Sequence, residues 1–468
     1  MQHSNKHEND EASLSHRLRN RHVNMITFGG MIGAGLFIGS GSAIRSGGIG
    51  VVAVYCFVAV IVYLIMRMLG EMAISRPRAG TFVDYTGAAL GSWASFFSGW
   101  LYWYFWVFTV GAETVAGATL LHAFGVDAPI WLIGLGLILA LAVTNSFSVR
   151  AYGELEFSLA SIKVLSIVGF IGVCLMMLIT GRLAPIQADA RISTLLPNHL
   201  AGLIQAMPIV VFSMVGSEIA AVAAAESDNP ARNIARASKS VAIRSALFYI
   251  LSVGIIALVV APSEIGPGVS PFTVALRKSG IPGAELVMTW VVLTAVLSCL
   301  NSGLYITSRI LFGLGRNGHA PRIFARTNQR KVPMWGLLVG LLAGAAAAFA
   351  QIFMRGDVFA LLAGTSGDII LVIYALIAIA QIRQRREMER ASEPIAFGVP
   401  LFPWSSYAVL GTIVAIIVLL GLDREQRPTI IMSLVSVGLV VIAIPLKQYF
   451  SRSRVTDAVP NQIGRDHA

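Results

Sequence analysis

Gly29-Gly30-Met31-Ile32-Gly33-Ala34-Gly35-Leu36-Phe37 lies in the middle of the first apolar run long enough to cross a bilayer. Glycine costs about 1 kcal/mol relative to alanine in a helix interior, so several so close together make unwinding cheap. Unwound backbone inside a bilayer is tolerated where it is buried in protein or lines a polar cavity. The stretch therefore reads as a broken transmembrane helix beside a substrate site. Small residues at four-residue spacing also let two membrane helices approach, and Gly29/Gly33 and Gly35/Gly39 fit that use, so the cluster alone leaves close packing as the other account.

Outward from this stretch the whole chain is apolar. Of its 468 residues 56% are hydrophobic and 13% charged, with a mean hydropathy of +0.74, against about a quarter charged in soluble domains. Runs of membrane-spanning length fall near 24–44, 48–69, 92–121, 129–147, 157–180, 201–225, 241–261, 284–308, 334–354, 357–381, 402–422 and 429–447. These predict an all-α integral membrane protein with twelve transmembrane helices and both termini on one side. With the amino terminus in the cytoplasm, the basic residues left outside are Arg45, Arg182, Arg191, Arg277, Lys278, Arg355, Arg424 and Arg427, and Lys163 falls within a span. All the others lie in cytoplasmic segments or at the span ends beside them, so the positive-inside rule places both termini in the cytoplasm of a multi-pass cytoplasmic (inner) membrane protein. The net charge of +11 is largely this bias, and it points to anionic lipid rather than nucleic acid.

Residues 1–22 are polar, so no cleavable signal is expected and the first span is retained. The chain divides into a disordered cytoplasmic tail over 1–22, one membrane domain over 23–448 and a cytoplasmic tail over 449–468. Cys56, Cys174 and Cys299 sit in apolar runs and read as small buried hydrophobes. The eight histidines lie in tails, loops or span ends, which leaves no paired intramembrane ligands for haem or metal. No cofactor is expected, and a membrane enzyme lacks a paired nucleophile and base. The 383–390 stretch reads as a solvated helix end at the membrane surface.

A second interruption follows five spans after the first, at Pro208 and Ser213-Met214-Val215-Gly216-Ser217-Glu218. Paired interruptions at such an offset point to an inverted-repeat transporter with its site near the bilayer midplane. Three ionisable residues lie well inside spans: Glu113, Lys163 and Glu218. Each costs roughly 2.5 to 3.5 kcal/mol at a helix centre on insertion scales, so each needs either a function or a buried ion pair that orients helices. Gly99, Tyr102, Trp106, Thr109, Glu113 and Gly117 recur at three- and four-residue steps and share one face of the third span. Thr294, Ser298, Asn301, Tyr305 and Ser308 form a polar stripe on the eighth, where hydroxyls that only glue helices are the competing account. Asp368 falls inside the tenth run beside Thr365, Ser366 and Gly367.

These residues resemble the amino acid transporter family of the amino acid, polyamine and organocation superfamily, over essentially the whole chain. The likeness rests on 29–41, on Met66-Arg67-Met68-Leu69-Gly70-Glu71-Met72, on Gly99-Trp100-Leu101-Tyr102-Trp103, on Ala224-Ala225-Glu226-Ser227-Asp228-Asn229-Pro230 and on Ser298-Cys299-Leu300-Asn301-Ser302-Gly303-Leu304-Tyr305. Tyr152-Gly153-Glu154-Leu155-Glu156-Phe157 and 301–305 look most like the 4-aminobutyrate permeases. Ser270-Pro271-Phe272 follows the general family pattern instead, and Asp368 stands where relatives carry an apolar or small residue, which would imply an extra ion pair or a different proton path. The resemblance implies a five-plus-five inverted repeat with discontinuous helices 1 and 6, plus two additional helices. It implies import of an amino acid, 4-aminobutyrate or another neutral one such as proline, by proton symport. An exchanger or an amino acid sensor of the same fold would show the same breaks.

A zwitterion shielded from water needs both its ends satisfied, and broken helices supply both. The half-helix beginning at Gly33-Ala34-Gly35 would offer free N–H groups and a positive dipole end to the carboxylate. Carbonyls near Ile32 and over Ser213 to Gly216 would accept from the ammonium. Trp106, Thr109, Ser217, Asn301 and Ser302 are the candidate walls, and Lys163, Glu113 and Glu218 the candidates for proton coupling. In this superfamily a fifth-span lysine can lie against the unwound part of the first helix in place of a coupling cation. A lysine out of water can load and release a proton as the cavity alternates between sides.

Overall fold

The computed structural model describes residues 32–76, 81–147, 149–186, 199–216, 245–354, 357–395 and 397–456. These residues are almost entirely helical, with no strand among them. A π-helical turn, Gly35–Gly39, runs straight into α1 (Ser40–Gly47), and a short 3-10 turn leads to α2 (Val51–Ser75). Then come α3 (Phe82–Leu90), α4 (Ser92–Ala123), α5 (Ile130–Phe147), α6 (Val149–Ile179) and α7 (His199–Met214). A second π turn, Ser245–Leu251, opens α8 (Ser252–Val259), which is followed by α9 (Pro271–Lys278) and α10 (Ala284–Arg316). The chain closes with α11 (Met334–Phe353), α12 (Val358–Arg390), α13 (Trp404–Leu422) and α14 (Arg427–Thr456). Among the described residues eight helical segments are long and apolar enough to cross a membrane, and three shorter apolar helices accompany them.

Burial sorts these helices into a centre and a periphery. In α4, α10 and α12 most of the apolar window is buried inside the protein, whereas α11, α13 and α14 leave most of theirs exposed to the surroundings, as lipid-facing helices do. Helices α4, α10 and α12 form the core, with α4 packed against both others and α7 wedged between α1 and α12. The close approaches are made by glycine. A Cβ on Gly35 would stand 2.7 Å from the Ser213 Cα, and one on Gly367 would overlap the Pro208 carbonyl. Close packing and helix breaking are thus not rivals for the first cluster: Gly35 and Gly39 pack α7 while the chain at Ile32 and Gly33 is non-helical.

Several boundaries differ from the sequence expectation. The fifth helix begins at Val149 rather than 157, because Gly153 is tolerated and Glu156 is buried against its neighbours instead of ending the helix at water. Helix α14 runs on to Thr456, beyond the expected end at 448. The connection after α2 holds α3, whose start is fixed by reciprocal capping between Thr81 and Asp84, the Asp84 carboxylate accepting from the Thr81 N–H at 2.9 Å. Helix α12 reaches Arg390 and carries the surface pairs Arg383–Glu387 and Arg385–Glu389. One face of that end is nevertheless buried: Arg385 reaches the Glu71 carboxylate at 3.2 Å, Gln381 donates to it at 3.0 Å and the Val399 N–H at 2.6 Å. In the 262–283 connection, partial burial alone would raise Glu264, but bonds from Lys278 and the Ala261 N–H hold it below the usual carboxylate range. The expected tail over 1–22 and most of that over 449–468 lie outside the described residues.

Candidate functional site: the break in the first helix

The first break is where the buried charges converge. Ile32 and Gly33 are non-helical and the helical segment begins at Ala34, so the Ile32 carbonyl and the first N–H groups of that segment are open to side-chain partners. The side chains that satisfy them come from two other helices. Lys163, fully buried on α6, donates from Nζ to the Ile32 carbonyl at 2.9 Å. Glu113, on the polar face of α4, accepts from the Ala34 N–H at 3.0 Å through Oε1 and 3.2 Å through Oε2. The break is thus held by a cation on its exposed carbonyl and an anion on its exposed N–H, the signs that the local backbone dipoles favour.

Behind Lys163 stands a second carboxylate. Glu156 Oε1 lies 3.9 Å from Lys163 Nζ and accepts from the Ser298 hydroxyl at 2.5 Å. Both charges are fully buried, so removing either would strand the other away from water. Asn301 and Ser302 of α10 lie on this side, in reach of Glu156, and Asn301 Oδ1 accepts from Asn145 of α5 at 2.7 Å. They border the Lys163 cluster and are not among the residues that line the cavity described next.

A cavity of about 20 Å³, room for roughly one water, lies in front of the break. It is lined by Gly33, Gly35, Phe105, Trp106, Thr109, Glu113, Phe212, Ser213, Val215 and Cys299. Four expected site residues of the first and third spans, together with Glu113 and Ser213, therefore meet around one space. Trp106, one of the lining residues, has a buried indole N–H with no hydrogen-bond partner among the described residues. Helix α7 ends at Met214, after Pro208 within it, and Gly216 has φ +124, a conformation that glycine adopts readily. Helix α7 thus ends within the stretch where the second break was expected. Ser217 and Glu218 lie outside the described residues.

Sequence reasoning missed Glu156 and Cys299. Glu156 sits seven residues before Lys163, two turns along one helix face, and that spacing was the available signal. Cys299 does not simply fill core volume: a Cβ on Gly33 would meet its Sγ at 2.8 Å and Glu113 Oε1 at 2.5 Å. Asp368 is buried, accepts from the Ser433 hydroxyl at 3.3 Å through Oδ2, and has no Lys or Arg paired with it among the described residues. The extra ion pair implied for it is therefore not formed there. No group of residues suited to a metal occurs among the described residues.

Apolar helices of membrane-spanning length surround these buried charges, and the family match makes the chain a transporter rather than an enzyme. The chain belongs to the amino acid permease family, whose pattern matches residues 22–456. It is 36% identical over 440 residues to the gamma-aminobutyric acid permease of Bacillus subtilis, covering 92% of this chain and 93% of that one. It is 38% identical over 424 residues to a probable GABA permease of Pseudomonas aeruginosa, covering 89% of each. A D-serine/D-alanine/glycine transporter of Escherichia coli is 32% identical over 432 residues, 90% of this chain and 92% of that one.

Proposed function

We propose that this permease imports 4-aminobutyrate or another small neutral amino acid such as proline by proton symport across the cytoplasmic membrane. The observation that carries the reading is the pairing at the first break, where Lys163 holds the Ile32 carbonyl and Glu113 the Ala34 N–H. A substrate carboxylate would take the N–H groups of the half-helix at Gly33 to Gly35, where the dipole end is positive. Its ammonium would take carbonyls freed at the breaks, those at Ile32 and over Ser213 to Gly216, with Trp106 and Thr109 as walls. Ser217 and Glu218 remain candidates on the far side of the second break. The Lys163 ammonium occupies the ground a coupling cation would otherwise hold, so proton release and reloading there, relayed by Glu156 and Glu113, replaces sodium.

The relatives support a small neutral substrate, since they are named for 4-aminobutyrate and for D-serine, D-alanine and glycine. The spacing of the breaks supports a five-plus-five inverted repeat within twelve spans, and the Lys and Arg distribution supports cytoplasmic termini. Competition uptake in proteoliposomes tests the substrate class. Labelled 4-aminobutyrate should be displaced by small neutral and gamma-amino acids, and little by acidic or basic ones. Displacement by arginine or glutamate alone would refute the reading.

A further inference from the structure

In this closed arrangement a side chain of the protein already sits at the positive end of the half-helix. We propose that Glu113 acts as an internal stand-in for the substrate's carboxylate, so that substrate binds only by evicting it. The inference rests on the transport reading above and adds a competition that this reading does not contain.

Four observations carry it. Both Glu113 oxygens lie within hydrogen-bond distance of the Ala34 N–H, at the mouth of a helical segment that continues from Gly35 through Gly47. Oε1 fills the space over Gly33 so closely that a Cβ there would lie 2.5 Å from it. The cavity that Glu113 lines is about 20 Å³, which no amino acid fits. The Trp106 indole N–H in the same lining is buried and unpartnered among the described residues, a donor available to an incoming carboxylate.

Two carboxylates cannot share one set of N–H donors in a water-poor site while both carry charge. The incoming carboxylate therefore displaces Glu113, which leaves as the neutral acid after accepting a proton from the side on which the substrate enters. The groups facing it are the Lys163 ammonium on α6, the Cys299 thiol on α10 and, behind Lys163, the Glu156 carboxylate. The eviction thus links one proton to one substrate molecule at the binding step.

Equilibrium binding to purified full-length protein tests this, with 4-aminobutyrate, proline and alanine as probes, across pH 5 to 9. Affinity for the bound probe should fall as pH rises, by up to tenfold per pH unit where Glu113 titrates, the limit for one linked proton. In Glu113→Gln the dependence should flatten and binding above neutral pH should tighten at least tenfold. Glu113→Asp, one methylene shorter and still charged, should also bind more tightly than the wild type while keeping some pH dependence. Butylamine and pyrrolidine, which lack the carboxylate, should bind poorly and without this pH response. Unchanged affinity and pH profile in both variants would overturn the proposal. Failure of the wild type to bind any of the amino acids would instead overturn the transport reading, and this proposal with it.

Discussion

At Gly33 and Gly35 the same residue type serves two purposes, and the two should fail differently. A Cβ on Gly35 meets backbone, the Ser213 Cα at 2.7 Å, so relief would require α7 to move away. A Cβ on Gly33 meets the ends of Glu113 and Cys299, which can rotate. Gly35→Ala should therefore abolish uptake with the protein still inserted, whereas Gly33→Ala should transport with weakened substrate affinity and lose uptake only with larger residues such as Leu. Uptake kinetics normalised to membrane-inserted protein decide this, and wild-type behaviour of Gly35→Leu would remove the break as the site. For Lys163 the expectation is loss of concentrative uptake in Lys163→Ala, with slow exchange retained. The same change strands the buried Glu156 carboxylate and should cost about 3 kcal/mol of stability. Lys163→Ala combined with Glu156→Gln should recover the unfolding midpoint without recovering accumulation, which separates the structural from the coupling role.

Among the elements, those whose sequence pattern is local were legible. The polar face of α4, from Gly99 to Gly117, is buried as its spacing predicts, and α7 ends within the 213–218 stretch expected to interrupt it. What was not legible depends on partners far along the chain. Glu156 looked like a loop residue because nothing near it in sequence announces Ser298. Asn301 and Ser302, about one helical turn from Ser298, were expected at the substrate, and their contacts in this arrangement run toward α5 and α6. The Arg383–Arg390 stretch read as solvated since its charge density is that of a surface. Only the fold brings Glu71 to Arg385, and through Val399 it ties the connection after α12 to α2. Removing that cation leaves Glu71, 3% exposed, with two neutral donors. Arg385→Ala should consequently lower the unfolding midpoint, by an amount corresponding to about 3 kcal/mol, while Arg386→Ala on the exposed side should change it little. Thermal unfolding in detergent monitors both, and equal effects would show that the Glu71 network contributes nothing particular.

On the scale of the whole molecule, the central helices carry buried polar groups and the outer ones carry apolar surface, a division suited to a rigid frame around a site that opens to alternate sides. In the proposed proton symport the charge at the first break changes as the cavity alternates, and Lys163, Glu156 and Glu113, buried there together, are the groups the proposal assigns to that change. The most direct test is proton movement measured together with substrate. Purified protein in liposomes loaded with a pH-sensitive dye, in sodium-free potassium buffer, should acidify the interior when 4-aminobutyrate or another transported neutral amino acid is added outside, and an imposed inward proton gradient should drive accumulation of the labelled substrate. Accumulation that required sodium, or that proceeded with no proton entering, would contradict the account.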